Sequence, residues 1–229
     1  MPDLPEWVEP VARYLLREGL TGTLRIAGIA LLLSTAIGIT LGTLLTIRFP
    51  LTRALIRLYI EVWRGLPIIV TLFVVYFGAP AISLRFETSA FVAGTITLTL
   101  WGSAQIAEAT RGAVQSISRG QHEAAAALGF GWVGRHTSVI LPQALRRLLP
   151  PLVSLLIGII LNTTLIGIIG GAELLEGAER MVEVVNAEAP AGFGDRGEFP
   201  IYGAVMIVFF LLCFPLTRLA AFLERKLVA

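Results

Sequence analysis

Charge is scarce in this 229-residue chain: Asp, Glu, Lys and Arg together make up 15% of it, against about a quarter in an ordinary soluble domain. That scarcity excludes a large solvated surface. Cysteine occurs once, at Cys213, so no intramolecular disulfide forms and the residue says nothing about redox compartment. Histidine occurs only at His122 and His136, with no cysteine or carboxylate at metal-ligand spacing, so no metal site is expected. Both histidines are expected to be solvated or to touch a partner. A G-x4-GK[ST] phosphate loop is missing, so the chain is not its own ATPase by the usual mechanism. Gly-x-Ser-x-Gly is missing too, and no catalytic residue is expected. The arginines are divided among separate segments, which leaves no basic patch for nucleic acid. No cleavable signal peptide is expected: the first residues carry Pro2, Pro5 and Pro10 with Asp3, Glu6 and Glu9, and have neither a positive start nor a short apolar core.

What is abundant is apolar. Hydrophobic residues make up 55% of the chain and the mean hydropathy is +0.80. A membrane-crossing helix needs about 20 mostly apolar residues at ~1.5 Å rise each. Five stretches meet that length, at about 24–47, 60–79, 90–113, 149–169 and 201–223. The runs are continuous rather than alternating, so they predict helices and not a barrel. The fold class read from this pattern is an all-α membrane protein. Residues 1–19 are expected to form a short interfacial element outside the first span, with Trp7 and Tyr14 at headgroup level.

The basic residues are unevenly shared between the two sets of connecting segments. One set holds Arg48, Arg53, Arg57, Arg64, Arg111, Arg119, Arg135, Arg146, Arg147, Arg218, Arg225 and Lys226. The other holds only Arg13, Arg17, Arg25, Arg85, Arg180 and Arg196. Basic residues are retained on the cytoplasmic side, so the first set faces in, with the N-terminus outside and the C-terminus cytoplasmic.

Within the spans, Gly38-x3-Gly42 predicts a close helix approach. Thr95, Thr99 and Ser103 recur every four residues and share one face of the third span, either packing against a neighbour or forming the polar wall of a path. Gln105 and Glu108 follow in the same span. Glu108 and Arg111 are three apart and close enough to pair, and Glu61 and Arg64 repeat the spacing. Two such pairs facing each other would form a charged gate; the plainer reading is an interfacial ion pair fixing a helix end. Asn162, Thr163 and Thr164 offer donors and acceptors that suit either a polar solute or bonds between helices. Pro150 and Pro151 are expected to open the fourth span, where early helical positions need no donor.

The segment between the third and fourth spans, about 118–147, carries a motif. Glu123, Ala124 and Ala125 are followed by Gly129 and, after nine residues, by Val139, Leu141 and Pro142. That spacing resembles the cytoplasmic EAA loop of bacterial ABC importer permeases. Tyr59-Ile60-Glu61-Val62-Trp63-Arg64-Gly65-Leu66-Pro67, Ala107-Glu108-x-x-Arg111-Gly112-Ala113, and Leu141-Pro142-Gln143-Ala144-Leu145-Arg146 extend the resemblance to the polar amino acid group of these permeases, over nearly the whole chain.

The resemblance implies a five-span type I importer transmembrane domain over 20–229 in the bacterial inner membrane, with a coupling helix in the cytoplasmic loop. Glu123, Ala124, Ala125, Gly129, Leu141 and Pro142 would couple to the ATPase, with glycine at 129 permitting the turn. It also implies a pair of ATPase subunits that carry Mg-ATP, a second permease (the same or a homologue) and an external amino-acid-binding protein, with no cofactor on this chain. Glu61, Arg64, Thr99, Ser103, Gln105, Glu108, Asn162, Thr163 and Thr164 are the candidate solute path. Two positions depart from the family pattern. Leu161-Asn162-Thr163-Thr164-Leu165 stands where a Lys-Asp is common, and Gln105 stands where a tyrosine is usual. The competing readings are an ion-coupled carrier, which would use Glu108 or Glu61 for protons, and a non-catalytic membrane partner.

Overall fold

A computed structural model describes residues 5–46, 49–82, 88–187 and 197–227. Arg48, Arg85 and Arg196 of the charge argument lie outside the described residues. Everything regular among the described residues is helical. In chain order the helices are α1 Val8–Tyr14, α2 Leu20–Leu44, α3 Pro50–Gly65, α4 Ile68–Ile82, α5 Ala90–Gln115, α6 Arg119–Ala127, α7 Trp132–Arg135, α8 Leu141–Asn162, α9 Leu174–Ala187 and α10 Glu198–Leu227. A π turn at Leu15–Gly19 joins α1 to α2, a second at His136–Ile140 joins α7 to α8, and Thr163–Ile169 prolongs α8 as a 3-10 turn.

Four uninterrupted helical runs among the described residues are long and apolar enough to cross a membrane: Val8–Leu44, Ala90–Gln115, Trp132–Ile169 and Glu198–Leu227. A fifth crossing is reached if one bent pair, α3 followed by Ile68–Gly78 at 102°, counts as a single span. The stretch at 60–79 is thus not one straight span. Pro67 is the cause: proline forces the residue before it out of the helical region, and Leu66 is extended at φ −83° and ψ 139°. The first half is amphipathic, with Ile56 and Ile60 buried while Arg53, Arg57, Glu61 and Arg64 are exposed. Such a helix suits an interface rather than a hydrocarbon core.

Two further boundaries differ from the sequence reading. Residues 8–19, expected to lie apart from the first span, run into it without a break. Pro150 and Pro151 sit inside α8 instead of opening it. A proline pair removes the donors that the Arg146 and Arg147 carbonyls would otherwise receive, and both arginines are exposed, where water can substitute.

The chain divides into two compact units. One comprises Met1–Ile29, Ile69–Leu98 and Gly158–Pro215; the other comprises Ala30–Ile68, Thr99–Ile157 and Leu216–Ala229. The first has a core of Val11, Leu15, Leu174, Ala178, Val182, Val185, Ile201 and Val205. In it α1 and its π turn lie against α9, where Gly177 leaves room for the Tyr14 ring. A Cβ at Gly22 would stand 2.2 Å from the Ala172 carbonyl oxygen, so that contact requires glycine. The second unit packs Val114 and Ile117 on Ile140, Ala144 and Leu148, and Leu45 on Ile56, Ile60 and Ala107. Here Gly38 and Gly42 behave as their spacing predicts. Cβ atoms at these positions would lie 2.6 Å from Ile106 Cβ and 2.4 Å from the Ala107 oxygen.

Candidate functional site

The residues of interest in the second unit form two groups. The first is the short helix α6 and the turn after it. Gly129 has φ +82°, the left-handed conformation that L side chains resist and glycine accepts. Its N–H donates to the Ala126 carbonyl (2.9 Å) and that of Phe130 to the Ala125 carbonyl (3.1 Å), the paired bonds of a Schellman stop. Helix α6 is therefore ended sharply, as the glycine in the motif predicts. Glu123 and Ala124 are exposed, and Leu128 and Val133 remain 79% and 65% exposed just beyond the stop. Ala125 differs from its neighbour: it is buried within its own unit, so it seats the helix rather than facing outward. Pro142 is exposed and Leu141 half-buried at the start of α8. Gln143 donates to the Val139 carbonyl (2.8 Å) and to Gln121 Oε1 (3.4 Å), tying that helix start to α6.

The histidines are not both free in solvent. His136 is buried and stacks on Trp132 at 4.2 Å between centroids. Its Nδ1 donates to the Trp132 carbonyl (2.9 Å), and Nε2 lies 3.1 Å from Thr46 Oγ1. Packing from α2 and α7, which no spacing in the sequence announces, overturns the expectation of a solvated ring. His122 is half-buried, its ring 6.1 Å from that of His136. Burial, then repulsion from His136 and Arg135, holds its pKa below the usual histidine range.

The second group is charged. Arg57, Glu61, Arg64, Glu108 and Arg111 line one cavity of about 270 Å³ with Leu45 and Ile60. Glu108 and Arg111 make the predicted pair in two-pronged form, Arg111 Nε donating to Glu108 Oε2 at 3.0 Å and Nη2 to Oε1. Glu61 and Arg64 do not repeat it. Arg64 Nε donates instead to Gln105 Oε1 (3.0 Å), across 41 residues of sequence. Arg64 is thereby held by α5, and Glu61 is left facing the cavity. The four charged residues do share one cavity, as the gate reading supposes, though only one pair is formed. Gln105, the position that departs from the family pattern, is thus the acceptor for an arginine. Two residues back along α5, Ser103 Oγ lies 2.7 Å from Tyr59 Oη. Tyr59 carries this contact without having been singled out; its only signal was its place in the Tyr59–Pro67 motif.

The threonine face of α5 is a packing face at the backbone level. Thr95, Thr99 and Ser103 are all buried, and the Thr99 carbonyl accepts from Ser34 Oγ (3.2 Å). Asn162, Thr163 and Thr164, in the other unit, all bond back to their own helix: Asn162 Nδ2 to the Gly158 carbonyl (2.7 Å), Thr163 to Ile160 (2.8 Å) and Thr164 to Leu161 (2.8 Å). These bonds satisfy each group locally, leaving the Asn162 carbonyl oxygen as an acceptor. In the same unit Glu173 is fully buried. Its carboxylate accepts from the N–H groups of Leu175 (3.0 Å) and Glu176 (2.7 Å), while Thr23 Oγ1 accepts from that of Leu174 (3.1 Å). The start of α9 is therefore capped from two sides. Glu173, Glu176, Glu179 and Glu183 follow one another closely in the sequence, and nothing in that spacing marks Glu173 as the fully buried one.

The sequence profile described as "Binding-protein-dependent transport system inner membrane component" matches residues 34–229. A glutamine transport system permease protein of Escherichia coli (strain K12) is 34% identical over 213 residues, 93% of each chain. A Bacillus subtilis (strain 168) protein, named "Probable glutamine ABC transporter permease protein GlnM", is 32% identical over 92% of each chain. Among solved structures, an amino acid ABC transporter crystallised with histidines superposes with a TM-score of 0.81 at 26% identity, covering 98% of this chain and all of that one. The MetNI methionine ABC transporter gives 0.72 at 22% identity over 94% of this chain and 98% of that one, which speaks for the fold alone.

Proposed function

The chain belongs to the family of binding-protein-dependent transport system inner membrane components, and from that premise we propose that it forms half of the membrane path for a polar amino acid and takes its stroke from an ATPase docked on α6. That it is a permease subunit of an ABC importer, with ATP hydrolysed on a separate subunit, follows from the family. The finer reading is ours. Polar amino acids are the solute class because the relatives named above carry glutamine in their names and the structural neighbour is an amino acid transporter. A second permease, identical or homologous, supplies the other half, and a binding protein delivers the solute from outside. Arg53, Arg57, Arg64, Arg111, Arg119, Arg135, Arg146 and Arg147 lie in the second unit, which favours placing its connections in the cytoplasm, with the N-terminus outside.

One observation carries the docking assignment. A short helix, stopped by Gly129 in the left-handed region, presents Glu123 and Ala124 beside a 79% exposed Leu128. An apolar side chain so exposed next to small residues is what a close-fitting partner groove would cover. Glu123 and the exposed alanines allow near approach, Leu128 supplies the apolar anchor, and the Schellman stop fixes its direction. In the charged cavity, Arg57, Glu61, Arg64, Glu108 and Arg111 are the polar wall that a zwitterionic solute would pass, with Gln105 holding Arg64 in place behind it.

The test is purification of the tagged chain from its native membrane with whatever ATPase accompanies it. Leu128→Glu and Gly129→Trp are expected to lower the recovered ATPase about tenfold, as loss of roughly 1.4 kcal/mol of binding would, while membrane insertion is unchanged. Undiminished ATPase on both variants would overturn the docking surface.

A further inference from the structure

A second recess in the same unit, about 690 Å³, shares Leu45 with the charged cavity but none of its charged residues. Thr46 in the turn after α2, Arg53 of α3, His122 of α6, and Trp132, Arg135 and His136 line it, with Gln115 of α5. Two guanidinium groups and two imidazoles thus face one space, and no carboxylate is among the lining residues. Like charges gathered without a counter-charge repel, and here the repulsion is joined by a missing partner: Arg135 Nε is buried and makes no hydrogen bond. A buried guanidinium N–H without an acceptor costs free energy unless something supplies one.

The neutral groups at the rim point the same way. Gln115 Oε1 accepts from Arg111 Nη1 (2.6 Å), and its amide N–H groups remain as donors. The Thr46 hydroxyl has one hydrogen and two acceptors in reach, the Thr43 carbonyl at 2.7 Å and His136 Nε2 at 3.1 Å. The donors come from several elements that approach from different directions. A planar carboxylate offers its lone pairs to one side, whereas a tetrahedral phosphate offers oxygens all round, and arginine forks match it.

We propose that this recess is a phosphate site, filled by the headgroup of an anionic phospholipid or by a free phosphate-bearing solute. The bound phosphate takes the unpartnered Arg135 N–H, neutralises Arg53 and Arg135, and draws α2, α3, α5 and α6 to one ligand. Occupancy of the recess therefore stiffens the base of the docking helix without touching its exposed face.

The chain has only two histidines, and both line the recess, so histidine-selective ¹³C/¹⁵N labelling of the full chain reads the site directly. In neutral detergent, inorganic phosphate is titrated against chloride at matched ionic strength. In parallel, the protein is placed in phosphatidylcholine vesicles with and without phosphatidylglycerol. A phosphate in the recess is expected to raise the His122 titration midpoint by about half a unit or more, by removing the repulsion that depresses it. A response to inorganic phosphate assigns the site to a free solute, and one seen only with phosphatidylglycerol assigns it to lipid. The Arg53→Gln variant, changed at an exposed position, keeps the fold and abolishes the shift. Failure of both phosphate and phosphatidylglycerol to move His122, or an undiminished shift in Arg53→Gln, would overturn the proposal.

Discussion

Two polar clusters in this molecule are built from similar residue types and do opposite things. In the second unit, Tyr59 reaches Ser103 and Arg64 reaches Gln105, bonds that join α3 to α5 across 44 and 41 residues of sequence. In the first unit, Asn162, Thr163 and Thr164 spend their donors on their own helix, three or four residues back. Polarity inside a membrane protein is thus of two kinds. One kind cross-links helices, with Arg64 at the wall of a cavity; the other is satisfied within its own helix. Only in the first does moving one partner move two helices at once.

The contrast is broken most severely at Arg111. Its guanidinium holds Glu108 by two bonds and also donates to Gln115. Arg111→Met leaves Glu108 facing Glu61 across the cavity with only Arg57 and Arg64 near. Both partners of the pair are about 30% exposed, so solvent screens part of the loss. The expected destabilisation is about 2 kcal/mol, read as a lower unfolding temperature in a fixed membrane mimetic, with uptake down about tenfold. A stability loss no larger than that of a self-bonded threonine would show that the pair is ornamental.

The next largest effect belongs to Glu173, the buried acid of the self-sufficient unit. Burial raises its pKa above the ordinary carboxylate value; the two backbone N–H bonds oppose this, and Glu176 and Glu179 add to it. An acid with a raised folded-state pKa holds its proton more tightly folded than unfolded. Its contribution therefore falls as pH rises from the ordinary carboxylate range through the raised value, and levels off above it. Glu173→Gln is expected to remove that slope. Glu173→Ala, which uncaps two N–H groups at the start of α9, is expected to cost about 1–2 kcal/mol at low pH. A pH profile identical in wild type and Glu173→Gln would mean that the carboxyl does not titrate in that range.

These sites differ in how far they could be read from the chain. Glu108–Arg111 was legible because a helix brings residues three apart to one face. Gly129 was legible because a helix stop in the left-handed region favours glycine, and Gly38 and Gly42 because small residues four apart mark a close approach. The apolar runs gave the spans for the same local reason. What stayed hidden needed two distant segments: Thr46 with His136, Thr23 with the Leu174 amide, Arg64 with Gln105. The bend at Leu66–Pro67 had its signal in place, yet the apolar run read across it, because hydropathy averages over a single backbone break. Pro150 and Pro151 misled in the opposite sense, since a proline pair suggests a start and α8 passes through it.

The smallest effects draw the comparison most finely. Tyr59→Phe deletes one hydroxyl and leaves the ring, which packs edge-on to Trp63 at 6.4 Å. Ser103 keeps its bond to the Leu100 carbonyl (3.0 Å), so nothing buried is orphaned, and the cost is that of one cross-helix bond, about 1 kcal/mol. Thr164→Val also deletes one hydroxyl and keeps the branched shape, but the lost bond ran only to Leu161 on the same helix. Its cost is expected to stay within about 0.5 kcal/mol. In uptake, Tyr59→Phe is expected to raise KM severalfold because it loosens the wall between α3 and α5, while Thr164→Val leaves KM unchanged. The two substitutions remove the same chemical group, so any difference between them measures what the group was bonded to. Equal effects on KM would move Thr164 into the path beside Tyr59 and erase the distinction between the two clusters.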